Sequence, residues 1–120
     1  MFFNRNKVKK IKWNIISEES DIESIIELSH QKPCLIFKHS TRCSISTMAK
    51  NRLERNWDEN VQIEFYYLDL LAFRSVSNKI ATFFDVEHQS PQVLLIKMGE
   101  CKYTSTHNDI DFDRIKDQVR

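Results

Sequence analysis

Apolar residues change their spacing several times along this chain, and each change marks a new element. Ile22, Ile25 and Ile26 recur at helical intervals after Ser17, a candidate N-cap, and Glu18 and Glu19 supply an acidic first turn. Pro33 breaks that pattern. The following run Cys34-Leu35-Ile36-Phe37 is continuously apolar, as a central strand covered on both faces should be. A polar stretch, residues 39–44, leads into Ile45, Met48, Ala49, Leu53 and Trp57, which mark one face of a second helix. Residues 63–70 are strand-like again. Val76, Ile80, Phe83 and Phe84 fit a third helix that starts near Ser75 or Ser77, and residues 93–98 form a strand opened by Pro91.

Gly99-Glu100 is read as a two-residue hairpin turn with a positive φ at its first position, and residues 101–105 as the returning strand. Phe112, Ile115 and Val119 then predict a last helix, capped by Asn108, Asp109 or Asp111. Before the first helix, Arg5, Lys7, Lys9, Lys10 and Lys12 alternate with Val8, Ile11 and Trp13. Residues 1–12 therefore read as a basic N-terminal arm or a charge-protected edge strand. The order αβαβαββα, with right-handed crossovers between parallel strands and a terminal antiparallel hairpin, predicts one α/β domain over residues 1–120. The architecture that fits is thioredoxin-like, a central mixed sheet of four to five strands flanked by helices.

Composition changes this picture little. The chain of 120 residues carries a formal net charge of +1, which gives no global pull toward nucleic acid or an anionic membrane. No apolar run approaches the ~20 residues that cross a bilayer, and Phe2 and Phe3 are too little for a signal-peptide core, so the expected location is cytoplasmic. The three cysteines, Cys34, Cys43 and Cys101, match neither a disulfide framework nor paired metal-binding motifs, so no metal site is expected and at least one thiol stays free.

Cys43 is the candidate reactive thiol. Its surroundings, HSTRCSIS, are too polar for a core cysteine, and it stands where the second helix begins. There the unpaired amides of Ile45 and Ser46, the helix dipole, the Ser46 hydroxyl and the neighbouring cation Arg42 are all expected to favour the thiolate, the form that attacks a disulfide. Cys34 starts the strand that ends near His39, about 15 Å or more away at ~3.3 Å per residue, beyond disulfide reach. Cys101 lies by the hairpin, also far off. Strand direction places the loops of His39, His88 and His107 at one edge of the sheet, where they could ring Cys43 and attract an anionic thiol, more strongly below neutral pH.

The segments FKHSTRCSIS at residues 37–46, SVSNKIA at 75–81, VEHQSPQVLLIKMGE at 86–100 and STHNDID at 105–111 resemble the monothiol bacilliredoxins of the YtxJ type, a thioredoxin-like family, in the right order over about nine-tenths of the chain. The resemblance implies that Cys43 accepts bacillithiol, a small anionic thiol, from mixed disulfides on S-thiolated proteins. It implies no tightly bound cofactor, with bacillithiol or another low-molecular-weight thiol as co-substrate, and a monomer is expected. It also implies a cis Ser90-Pro91 bond that leaves the Ser90 backbone open to an extended substrate. Thr41, Ser44, His39, His88, Ser90, Pro91 and His107 are the expected substrate-binding positions. Three departures stand out: Ser44 follows the cysteine where the family often has Pro; Ser46 takes the resolving-cysteine position, giving CxxS; and Phe37 replaces the buried Asp of ordinary thioredoxins. Two other functions compete, a metal or iron-sulfur CxxS protein and a non-catalytic binding module.

Overall fold

A computed structural model describes residues 10–119. Its elements, in chain order, are β1 (Trp13–Ile15), α1 (Glu19–Leu28), β2 (Cys34–His39), α2 (Ser44–Asn56), β3 (Glu64–Asp69), α3 (Arg74–Phe84), β4 (Gln92–Lys97), β5 (Glu100–Thr106), a 3-10 turn at His107–Asp109 and α4 (Phe112–Val119). The strands form one mixed sheet in the order β1-β3-β2-β4-β5. β1 and β2 both run parallel to β3, β4 runs antiparallel to β2, and β5 antiparallel to β4. This is the predicted α/β architecture with all five strands present.

Alternation along β2 builds two cores. Leu35 and Phe37 face one side of the sheet, with Phe65, Val93 and Leu95, and pack under Ala49 and Leu53 of α2 and Phe112 and Ile115 of α4. Cys34 and Ile36 face the other, with Leu68, Leu94 and Ile96, under Ile22 and Ile25 of α1 and Val76, Ile80 and Phe84 of α3. The strand continues through Lys38 and His39, both buried although polar. By the same alternation His39 faces α2 and Lys38 faces α3, which fixes the chemistry of the site.

Several local expectations need correction. The hairpin turn is Met98-Gly99, not Gly99-Glu100: both residues have positive φ (53° and 79°), and Glu100 already pairs with Lys97. Ser29 pins it, its carbonyl accepting from the Met98 amide at 3.0 Å and its hydroxyl from the Gly99 amide at 2.9 Å. The N-cap of α1 is Glu18 rather than Ser17, because Glu18 and Asp21 form a reciprocal capping box. Asp111 caps α4, its carboxylate accepting the Asp113 amide at 3.1 Å. On α2 the buried stripe is Ser46, Ala49 and Leu53, while Ile45 and Met48 are 51% and 62% exposed, and Trp57 lies just past the helix end. Of the basic segment, residues 1–9 lie outside the described residues. Ile11 is buried and the edge strand itself is Trp13–Ile15. No helix among the described residues is long and apolar enough to cross a membrane.

Candidate functional site

Three parallel strands point their C-terminal ends to one edge of the sheet, and α2 starts there. After His39 the chain makes a tight turn in which the Cys43 amide donates to the Ser40 carbonyl at 3.1 Å. Cys43 is the N-cap of α2, extended (φ −110°, ψ 121°), and its carbonyl accepts the first helical bond from the Thr47 amide at 3.0 Å and the Thr47 hydroxyl at 3.2 Å. Its side chain makes no capping hydrogen bond, and the residue is half-buried. Thr41, Arg42, Ser44 and Ile45 around it are exposed, and Thr41 and Arg42 border an open groove with Asp69, Leu71 and Ala72.

Ser46 departs from its expected role. It is fully buried, and its oxygen accepts from the Ser40 amide at 3.0 Å and lies 2.6 Å from His39 Nδ1. His39 stacks on Phe37 (centroids 5.5 Å apart) and leans on Tyr67 (5.4 Å). Burial, aided by Lys50, pushes its imidazole below the ordinary histidine range, against an opposing pull from Asp69 and Glu54. Its charged form is thus disfavoured where it lies, under the first turn of α2.

The other two histidines are placed differently again. His88 reaches across to the α3 side, its Nδ1 3.2 Å from Lys38 Nζ and 3.4 Å from the Ser77 hydroxyl. Burial, Lys38 and Arg74 lower its pKa. Lys38 donates to the Ser77 carbonyl at 3.1 Å, and burial pushes its ammonium down to about 8. Gln92, paired with Lys38 across the sheet, holds the same loop, donating to the Glu87 carbonyl at 3.0 Å and accepting from the Gln89 amide at 3.3 Å. That loop ends in the cis Ser90-Pro91 bond, with the Ser90 hydroxyl buried and unpartnered among the described residues. His107 is exposed at φ 53°; its amide donates to the Pro91 carbonyl at 3.2 Å and its carbonyl accepts from Arg52 at 2.8 Å. The three loops share an edge, yet the His39 and His88 rings face opposite sides of the sheet, each engaged in its own hydrogen bonds.

The remaining thiols sit at the far end. Cys34 opens β2 and pairs with Ile96, which pairs with Cys101 on β5. The Cys34 thiol is buried against the Ile25 and Lys32 carbonyls, and burial pushes it up to about 12; burial also raises Cys101, against its bonds to the backbone. All three cysteines are free. Cys43 alone combines partial exposure, a helix start and a neighbouring groove. Among the described residues no three His, Cys, Asp or Glu side chains gather as a metal site.

Sequence reading missed Lys38 and Ser77. The only signal for Lys38 was its place one residue past an apolar run, where a buried strand was still in progress. The His39 to Ser46 contact follows from the alternation of β2, once the strand is known to extend through His39.

Comparisons with known proteins agree with this fold. A family model described as "Monothiol bacilliredoxin BrxC" matches residues 14–115. A solved structure described as having a thioredoxin fold is 27% identical, covering 88% of this chain and 92% of its own, with a TM-score of 0.77. Thioredoxin from Malassezia sympodialis (16% identical, 93% and 94% covered, TM-score 0.74) and Fasciola hepatica thioredoxin (14%, 89% and 99%, 0.73) share the fold.

Proposed function

The chain belongs to the monothiol bacilliredoxin family, and on that premise we propose that it is a thiol-disulfide oxidoreductase that removes bacillithiol, or a similar low-molecular-weight thiol, from mixed disulfides on cytoplasmic proteins. The observation that carries this reading is the placement of Cys43: half-exposed at the start of α2, with a serine at the resolving position and both other thiols at the opposite end of the sheet.

The chemistry then needs one sulfur. The Cys43 thiolate attacks the low-molecular-weight sulfur of the mixed disulfide, the protein thiolate leaves and takes a proton, and Cys43 holds the adduct. A second low-molecular-weight thiolate attacks that adduct, releases the symmetric disulfide and restores Cys43. Helix N-termini favour negative charge, which supports this location for a reacting thiolate. The exposed Arg42 and the groove beside it offer a cation to a carboxylate-bearing thiol, with Thr41 and Ser44 alongside. The Ser90 backbone, ahead of buried Pro91, offers main-chain hydrogen bonds to an extended chain.

The test uses a bacillithiol-modified protein, with glutathione-modified and coenzyme A-modified versions as parallel arms. Transfer is expected as an adduct mass on the Cys43 peptide, absent in Cys43→Ser. Full retention of the adduct on the test protein in all three arms overturns the proposal.

A further inference from the structure

We propose that His39 is a positioning residue for Cys43, acting through Ser46: the pair ties the end of β2 to the first turn of α2, and the proton between them decides whether the Ser46 hydroxyl hydrogen is available to the sulfur. The inference rests on Cys43 being the reacting group and deepens the account of that same site.

Ser46 is fully buried and His39 is 5% exposed, and the Ser46 oxygen and His39 Nδ1 are each other's partners. A hydroxyl has one hydrogen and two lone pairs. One lone pair of Ser46 takes the Ser40 amide, and His39 Nδ1 at 2.6 Å takes part of what is left. In the neutral tautomer that carries its proton on Nε2, Nδ1 is the acceptor, the hydroxyl hydrogen points to it and nothing is left for another acceptor. With Nδ1 protonated, the imidazole donates to Ser46 instead and the hydroxyl hydrogen is released. Ser46 is the third residue of α2 after its N-cap Cys43, so the two residues lie within the first turn of the helix. A hydrogen released there is free for an acceptor in the first turn of α2, where Cys43 is the reacting group.

The groups facing His39 are the rings of Phe37 and Tyr67, Asp69 paired with it on β3, and Lys50 and Glu54 from α2. Lys50 and Glu54 are themselves paired at 2.8 Å, so they partly cancel, and Asp69 opposes Lys50. The imidazole is held by stacking and by Ser46, not by an ion pair of its own. Such a ring can change protonation without dismantling a salt bridge. His39 thus supplies the interior of the site with a proton-handling group, two residues along the strand from apolar Phe37.

The experiment is alkylation of Cys43 by iodoacetamide in the full chain, followed by peptide mass spectrometry from pH 5 to 9, with the His39 ring titrated by NMR. Wild type is expected to show, besides the rise from thiol ionisation, an inflection at the midpoint of the His39 titration. Ser46→Ala and His39→Asn should each lose that inflection. His39→Leu, which removes the tie between β2 and α2, should change the rate at pH 8 roughly fivefold, the scale of one hydrogen bond, and His39→Asn, whose amide can still bond Ser46, should reverse part of that change. Alkylating Cys43 should move the His39 midpoint in wild type and not in Ser46→Ala, since linkage is reciprocal. Survival of the inflection in Ser46→Ala, or a wild-type rate in His39→Leu, overturns the proposal; if His39→Leu fails to fold, Ser46→Ala and His39→Asn decide it. Iodoacetamide needs no bacillithiol, so failed adduct transfer would sink the proposed function and leave this result standing.

Discussion

Between Cys43 and a second thiol in the first turn of α2 stands one oxygen atom, that of Ser46. The N-cap and third helical positions share the first turn of α2, so Ser46→Cys is expected to put two sulfurs within disulfide reach. Under a mild oxidant the variant, with one thiol more than the native three, should lose a pair of titratable thiols while wild type keeps all three. The same change strands the Ser40 amide and the His39 nitrogen in a buried site, at a cost of about 1–3 kcal/mol, measurable as a lower urea midpoint for the reduced variant. Unchanged thiol counts would show that the two positions do not meet. The serine itself was legible in the sequence as CxxS, because spacing from a helix start is a local property. Its hydrogen-bond partner was not. The polar letters from His39 onward read as an exposed loop, whereas β2 carries two polar residues into the interior before it ends.

An element's start is set by backbone angles as much as by side chains, and here α2 is prepared for a residue it lacks. Ser44 is the first helical position, whose amide has no intrahelical acceptor, and Cys43 before it already holds the extended conformation that a following proline requires. Ser44→Pro should therefore be accepted without rearrangement and raise stability by about 0.4–1 kcal/mol through the unfolded chain, seen as a higher urea midpoint. A drop in the midpoint would mean that the turn at residues 40–43 differs from the one described. Elements themselves were well marked in the sequence, since every predicted helix and strand is present. Their faces and ends were less so. On α2 a buried serine opens the stripe, so the apolar letters alone pointed one residue aside, to Ile45 and Met48. At the hairpin, Gly99 announced the turn, but it takes the second place because Met98 adopts a left-handed conformation that sequence rules reserve mostly for Gly, Asn and Asp.

For the molecule as a whole, one strand serves both faces of the sheet. β2 delivers His39 to the α2 side and Lys38 to the α3 side, where Lys38 with Gln92 braces the loop that ends in Pro91. Holding Lys38 there has a consequence for global stability. Its ammonium is pushed down from 10.5 to about 8 by burial, so between these values the unfolded chain binds a proton that the folded chain has released. Stability from this residue accordingly rises with pH over that window, by at most about 3 kcal/mol. Cys34 and Tyr66 act with the opposite sign: burial raises both to about 12, so the unfolded chain ionises first and stability falls as pH climbs above 9. The two trends overlap, and a difference measurement separates them. In urea melts of wild type and Lys38→Met from pH 7 to 10, the wild-type midpoint should climb relative to the variant's above pH 8, while the alkaline loss from Cys34 and Tyr66 is common to both. A gap that stays constant across that range would mean that Lys38 keeps its proton in the folded chain as firmly as in the unfolded one, and that the brace beneath the Pro91 loop is a permanent cation.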